Sequence, residues 1–198
     1  MWNLPFISKI LERVIAAQLV VHLNDNSYLD KFESAYRPGF SMETALLKVI
    51  NDSLISLNSG NLVLLILLDL CATFDTINHC LLLEKLQLAS GIKDTALQWF
   101  ASYLLNRTQT VLVGSSSSSD SNLICGVPQG SVLGPILFSI YTSSLGQLIE
   151  DCGVGRQFFA DDSQLFDSFS PDPDTVSLVV KKLETCCVKI KSWMTKTD

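Results

Sequence analysis

Phe159-Ala160-Asp161-Asp162-Ser163-Gln164-Leu165-Phe166 is the stretch that decides the fold. Two adjacent carboxylates stand between apolar runs, Val154 to Phe159 and Leu165 to Phe169. Aspartate is a poor strand residue and a good turn residue, so the pattern predicts a β-hairpin with both acids at its tip. Neighbouring side chains on a flat strand point to opposite faces, so only a turn brings both carboxylates near one site. Such a pair suits a hard divalent cation, because Mg²⁺ takes oxygen ligands and is held by one or two carboxylates plus substrate phosphates. An acid pair in a loop is also common as a plain solvated turn, so the metal reading depends on what else lines up with it.

A second acid does. Leu62-Val63-Leu64-Leu65-Ile66-Leu67-Leu68 is an unbroken apolar run that ends in Asp69. Its length, and the turn Asn58-Ser59-Gly60-Asn61 before it, predict a strand buried on both faces at the centre of a sheet. A carboxylate at the end of a buried strand is costly unless it is paired or bound to metal. Ninety-two positions separate Asp69 from Asp161, enough for helices and a hairpin between two neighbouring strands. Between them lies Gly126-Val127-Pro128-Gln129-Gly130-Ser131, a glycine-flanked loop leading into an apolar helix from Val132 to about Leu148. Carboxylates from two strands can clamp two Mg²⁺ about 3.5–4 Å apart, the arrangement for in-line phosphoryl transfer.

Composition bounds the remaining possibilities. The chain has 198 residues, 47% of them apolar and 17% charged, which is globular composition for one large domain or part of a bigger one. The longest apolar run has seven residues, far short of the roughly 20 a membrane-crossing helix needs. Met1-Trp2-Asn3-Leu4-Pro5 lacks the basic start of a secretory signal. The net charge of −6 is unusual for a protein that grips phosphate, although bound cations would offset acids gathered at a metal site. Five lysines between Lys181 and Lys196 alternate with an apolar stripe and read as a solvated helix face. The six cysteines form no C-x-x-C pair and fit neither a zinc site nor a disulfide framework. They read as reduced, so the chain is expected to be intracellular, in cytoplasm or nucleus.

Helical spacing predicts further elements. Pro5 opens a helix from Phe6 to Leu23 whose inner stripe is Ile7, Ile10, Leu11, Val14 and Leu19. Ser41 caps a second helix to about Leu57, with Ala45, Leu46, Val49, Ile50 and Leu54 inward. Asp75 is the candidate cap of the helix around Leu81 to Leu88, and a further helix starts at Asp94. The stretch 108–125 predicts a β-hairpin with the serine run at its tip. Thr175 is expected to cap a last helix with Val176, Val179, Leu183, Cys187, Ile190 and Trp193 inward.

Five stretches, taken in chain order, resemble the reverse transcriptases of non-LTR, LINE-type retrotransposons. The resemblance begins at Asn3-Leu4-Pro5-Phe6-Ile7-Ser8-Lys9 and continues through Ser34-Ala35-Tyr36-Arg37-Pro38-Gly39 and Leu68-Asp69-Leu70-Cys71-Ala72-Thr73-Phe74-Asp75. It takes in Gly126 to Pro135 and closes with Phe159-Ala160-Asp161-Asp162, where the family more often has Tyr at the first position. It implies an α+β fold: a right-hand polymerase palm, an antiparallel sheet with helices on one face, plus partial fingers and no thumb. Residues 1–60 would be fingers-side helices and loop, and 61–198 mostly palm, in a single domain fragment. The implied activity is RNA-directed DNA polymerisation, with an RNA template, a DNA primer and dNTPs as partners and two Mg²⁺ ions, or Mn²⁺ in their place. Asp69 and Asp161 would ligate both metals, the Leu70 carbonyl would help, and Asp162 would ligate more weakly. Arg37 would hold the triphosphate, Phe74 would lie under the sugar and exclude a 2′-OH, and Gln129 would contact the nucleotide. Gly126 and Gly130 would let backbone approach substrate and template. His79 carries no implied role.

In the family, a strand-turn segment with a Lys, a primer grip and a helical thumb follow the position of Trp193 to Asp198, and an endonuclease precedes the first helix. This chain is therefore expected to be the fingers and most of the palm of a longer protein. One alternative is a catalytically inactive remnant with at most weak nucleic-acid binding. Another is a nucleotide cyclase-like palm enzyme, which the Gly126–Pro135 loop and helix argue against.

Overall fold

The computed structural model describes residues 5–35, 37, 39–70, 73–128 and 130–197. In chain order its elements are α1 (Phe6–Asp25), α2 (Met42–Asn58), β1 (Leu62–Asp69), α3 (Thr73–Thr76), α4 (His79–Leu88) and α5 (Asp94–Leu104). Four short strands follow, β2 (Arg107–Gln109), β3 (Leu112–Val113), β4 (Ser116–Ser117) and β5 (Ser121–Leu123). The chain ends with α6 (Gly134–Glu150), β6 (Gly155–Phe159), β7 (Asp162–Phe169) and α7 (Pro173–Thr197). These elements divide into two compact units: residues 1–28 with 72–141 and 197–198, and residues 29–71 with 142–196.

The second unit is built on a three-stranded antiparallel sheet in the order β1-β7-β6. Leu62 pairs with Phe169 and the register runs without a bulge to Asp69 opposite Asp162. Side chains alternate across a strand, and here the alternation is sharp. Leu64, Ile66 and Leu68 of β1 join Phe158, Leu165 and Phe169 in a core closed by Leu145 and Ile149 of α6 and by Val179, Leu183, Cys186 and Ile190 of α7. Leu65 and Leu67, on the other face, are 45% and 70% exposed. The sheet is thus an antiparallel layer carrying α6 and α7 on one face, the expected α+β architecture. The expected position of β1 is corrected: it is an edge strand, half-exposed, and β7 is the central one. A uniform run of leucines says that a segment is extended and apolar but not how many neighbours it has.

The segment before α2 is tied to this sheet by polar contacts. Arg156 on β6, only 6% exposed, pairs with Asp30 at 3.1 Å and with Glu150 at 2.7 Å, and its guanidinium lies 5.0 Å from the Phe32 ring centre. Asp30 fits there because position 146 is glycine; a Cβ on Gly146 would collide with the Asp30 carboxylate. The Glu150 carboxyl is held below the usual range by its hydrogen bond from Arg156 and the adjacent positive charge.

The first unit is mainly helical. Leu23, Ile77, Leu82, Leu86, Leu133 and Phe138 are among its fully buried side chains. The stretch 107–123 forms nested antiparallel pairs, β2 with β5 and β3 with β4, as the serine-rich hairpin predicts. The inner face of α1 is not the expected one. Ile7, Ile10, Leu11 and Val14 are exposed, while Glu12, Ala16, Leu19 and Leu23 are buried. Likewise α2 buries Ala45 and Val49 and leaves Leu46, Ile50 and Leu54 exposed.

Capping follows the sequence in one case and departs from it in two. Ser41 and Thr44 form a reciprocal capping box at the start of α2. The α4 cap is Asn78, whose side chain accepts from Leu81 N at 3.1 Å, rather than Asp75. The α7 cap is Asp172, which accepts from Thr175 N at 3.1 Å and Asp174 N at 3.2 Å, so the expected cap Thr175 lies inside the helix. Hydrogen bonds, first from Thr175, hold the Asp172 carboxyl down to about 2.

The two faces of the sheet give a direct contrast. Leu165, fully buried on β7, is expected to lose about 2–5 kcal/mol on replacement by Ala, through lost transfer energy and the cavity left behind. Leu67→Thr, on the exposed face, is expected to shift stability by no more than about 0.5 kcal/mol. Urea unfolding of both variants checks the face assignment, and a large loss for Leu67→Thr would reverse it.

Candidate active site

The acids meet at one end of the sheet. β6 and β7 are joined by a two-residue turn, Ala160-Asp161, with Phe159 opposite Asp162. Ala160 has φ of 56°, in the left-handed region, which a non-glycine residue adopts only when its surroundings enforce it. A two-residue hairpin with a positive φ at its first central position matches the right-handed twist of the strands it joins.

Asp69 and Asp162 are direct partners across β1 and β7, and Leu70 N donates to Asp161 O at 3.0 Å. A bond between the residues just beyond a facing pair marks that pair as the narrow type of an antiparallel ladder, the one without mutual hydrogen bonds. Facing Cα atoms in narrow pairs are about 4.5 Å apart and their side chains are at their closest. Both carboxylates are exposed, on the face opposite the α6 and α7 core. Like charges directly opposed across strands repel. A divalent cation between them would reverse the sign of that interaction, and two carboxylates with room for phosphate oxygens suit Mg²⁺. The donor set therefore fits one such ion. Among the described residues, no group of three or more His, Cys, Asp or Glu side chains is arranged to hold a metal. Asp161 occupies the turn, half-buried, and Leu70 is buried.

The turn is braced by a residue that the sequence does not single out. Glu33 is 5% exposed, and its backbone forms a parallel bridge to Phe158. Its Oε1 accepts from Ala35 N at 2.8 Å and from Ala160 N at 3.3 Å, so it holds the residue ahead of the acid pair. Burial pushes the Glu33 carboxyl above its ordinary value; the two backbone donors and the charge of Arg37 work the other way. Arg37 thus lies beside Glu33, half-buried, and its Nε has no hydrogen-bond partner among the described residues. Gln157, on the same sheet face as the acids, is 2% exposed and donates through Nε2 to Phe32 O and Ser34 Oγ, both at 2.7 Å.

The remaining candidates belong to the first unit, apart from Gln129, which lies outside the described residues, as do Asn3, Leu4, Tyr36, Pro38, Cys71 and Ala72 of the motifs. Phe74 on α3 is half-buried and stacks on Phe138 of α6 with ring centres 4.4 Å apart and planes 12° from parallel. Gly126 has φ of 83°, and a Cβ there would stand 2.7 Å from Asp75 O, so both conformation and space require glycine. Gly130 also has a positive φ, 76°, with no atom within 4 Å of a built Cβ. His79 is buried, 4% exposed, and its Nε2 lies 2.7 Å from Gly126 O. A cleft of about 390 Å³ opens alongside, lined by Asp75, His79, Arg107, Gln109, Asn122 and Gly126 among others.

Two substitutions follow from these contacts. Glu33 has a raised folded-state pKa, so folding favours its neutral form. Its contribution to stability is full below the ordinary value of 4.5 and is lost as pH rises through the folded-state value. Glu33→Gln keeps an acceptor oxygen without the titration. Denaturant unfolding is expected to show wild type and Glu33→Gln equal at acid pH, with the variant the more stable at neutral pH. Gly126→Ala is expected to lose about 1–3 kcal/mol from backbone strain and collision with Asp75, read by the same method.

Comparison with known proteins gives the family. The family described as "Reverse transcriptase (RNA-dependent DNA polymerase)" matches residues 2–197. The chain is 31% identical over 144 residues to a probable RNA-directed DNA polymerase from transposon X-element of Drosophila melanogaster, covering 73% of this chain and 16% of that protein. It is 32% identical over 148 residues to the RNA-directed DNA polymerase from mobile element jockey of the same organism, covering 72% and 15%. The chain thus spans about one-sixth of the length of these curated relatives. Among solved structures, telomerase from Candida albicans, in complex with a fragment of telomeric RNA, superposes with a TM-score of 0.58 over 90% of this chain and 32% of that one. At 15% identity this likeness concerns the fold alone. With its family match over nearly the whole length and its acid-tipped hairpin beside an acid-ended strand, the chain belongs to the reverse transcriptase family, in the group of non-LTR, LINE-type retrotransposon enzymes.

Proposed function

We propose that the Asp69–Asp162 pair, with Asp161, is the metal-binding end of an RNA-directed DNA polymerase palm. We propose also that the chain taken alone holds this framework without an assembled two-ion centre, and so incorporates dNTPs poorly or not at all and binds primed RNA weakly. The observation that carries the first part is the narrow pairing of Asp69 with Asp162 at the end of the β1-β7 ladder. The second part draws on the absence of any three-residue ligating group among the described residues, and on the net charge of −6, which opposes binding to phosphate.

In this reading Asp69, Asp161 and Asp162 would hold Mg²⁺, with the Leu70 carbonyl as a further oxygen donor; the family resemblance gives Asp161 the stronger share and Asp162 the weaker, and the strand pairing sets Asp162 opposite Asp69. Bound there, Mg²⁺ would lower the pKa of a primer 3′-OH and neutralise charge on departing pyrophosphate. Arg37 would bind the triphosphate, since a planar guanidinium fork matches phosphate oxygens. Phe74, its ring fixed against Phe138, would lie under the sugar and leave no room for a 2′-OH. Gln129 would contact the nucleotide, and the open space at Gly130 would admit substrate or template close to backbone. The template is RNA and the primer DNA, and the unpaired spacing of the cysteines suits a reduced, intracellular compartment.

Two measurements on the 198-residue chain test the two parts. Mn²⁺ titration followed by electron paramagnetic resonance is expected to show a weak site that disappears in Asp69→Asn/Asp162→Asn; Mn²⁺ binding unchanged in that variant would refute the metal assignment. Extension of a primed RNA template with Mg²⁺ or Mn²⁺ is expected to stay at background. Robust extension that Asp69→Asn abolishes would overturn the second part and leave the first standing.

A further inference from the structure

The loop from Gly126 to Leu133 is fastened at both ends by buried ionisable side chains and is open at Gly130. At its start, Asn78 and Cys125 form an antiparallel bridge, Gly126 N donates to Ile77 O, and Val127 N donates to Phe74 O, both at 2.8 Å. His79 closes this end. Its Nε2 lies 2.7 Å from Gly126 O, and a carbonyl can only accept, so Nε2 carries the proton. At the other end Glu12 reaches in from α1. Its Oε2 accepts from Val132 N at 2.7 Å and from Leu133 N at 3.3 Å, while Oε1 accepts from Ser8 Oγ at 3.1 Å. Glu12 is 1% exposed, so this is a buried carboxylate spent on two backbone donors just ahead of α6. Ser131 turns the chain inside this clamp: its N donates to Pro128 O, and its Oγ accepts from Gly134 N at 2.9 Å. Between the two fastenings, Gly130 has no atom near a built Cβ.

We propose that Glu12 and His79 are positioning residues that clamp the Gly126–Leu133 loop, so that the open backbone at Gly130 is presented to an incoming nucleotide. The proposal rests on the polymerase reading for what the loop presents, and on the hydrogen bonds alone for the clamp. A buried charged or strongly dipolar group bonded to backbone, by one bond at His79 and two at Glu12, fixes that backbone more tightly than apolar packing, because releasing it leaves both partners unsatisfied. The same clamp fixes Phe74, since Val127 is bonded to Phe74 O and sits one residue past the carbonyl that His79 holds. Neither residue touches substrate in this arrangement; each acts through the loop.

Amide hydrogen exchange on the full chain, with Mg²⁺–dGTP binding beside it, is the test. In His79→Leu, exchange at Gly126 and Val127 is expected to quicken by about tenfold; in Glu12→Leu, the same at Val132 and Leu133. Exchange in the β6–β7 ladder should not change. His79→Gln, whose amide can reach Gly126 O, and Glu12→Gln, which keeps an acceptor, are expected to return to within about threefold of wild type. The dGTP dissociation constant should rise about tenfold in the Leu variants and recover in the Gln variants, which a merely structural role would not produce. If a Leu variant loses β6–β7 protection, His79→Asn, whose shorter amide falls short of Gly126 O, is read in its place. Loop exchange unmoved by His79→Leu and Glu12→Leu, or dGTP affinity that the Gln variants fail to restore, would overturn the proposal. No dGTP binding by wild type would overturn the nucleotide-presenting half of the proposal, and the exchange pattern would still decide the clamp.

Discussion

Two carboxylates facing each other across a narrow β pair is an arrangement that a sheet does not adopt for stability. At the Asp69–Asp162 position the strands are at the narrow spacing of the ladder, and both side chains lie on the face opposite the α6 and α7 core. Like charges at that separation cost energy even in high dielectric. Much of the second unit reads as provision for this cost. The core of α6 and α7 lies wholly on the other face, and the leucine-rich β1 keeps the ladder in one register over eight pairs. A one-residue slip would turn every buried β1 leucine outward, so the hydrophobic alternation that folds the sheet also fixes which acid faces which.

The turn and the loop are held by the same physical device, a buried polar side chain bonded to backbone from a distant part of the chain. Glu33 holds Ala160 N ahead of the acid pair; Glu12 holds Val132 N and Leu133 N ahead of α6; His79 holds Gly126 O. All three are nine-tenths or more buried. Irregular backbone has no ladder of its own to satisfy its donors and acceptors, so its conformation is defined only where such side chains define it. These residues supply that definition at the turn and at the loop.

How much of this could be read in advance depends on the range of the contact. The hairpin was legible because its signals are local: two acids, flanking strand formers and a two-residue turn. The α7 stripe was legible because Val179, Leu183 and Ile190 alternate with lysines, so one face is plainly apolar. The α1 stripe misled for the converse reason. Apolar residues occur on several sides of that helix, and periodicity could not reveal that Glu12 turns inward, because its partners lie 120 residues away. Edge or centre for β1 was equally invisible, since seven consecutive apolar residues look the same in both places. His79 and Glu33 gave no signal beyond residue type; each is explained only by the backbone atom it reaches. The carboxylates themselves were found through motif order, while their pairing, Asp162 opposite Asp69 with Asp161 in the turn, needed the register.

The most direct test of the central geometry is a cross-link. Asp69→Cys with Asp162→Cys would place two thiols at a narrow antiparallel pair, where Cα atoms about 4.5 Å apart fall within the range a disulfide spans. Oxidation of the folded chain, followed by mass mapping of linked peptides, is predicted to give the 69–162 bridge rapidly and in high yield, with Leu67→Cys/Asp162→Cys giving none. A chain in which the 69–162 bridge fails to form, or forms no better than the 67–162 control, would contradict the convergence on which the account of the site depends.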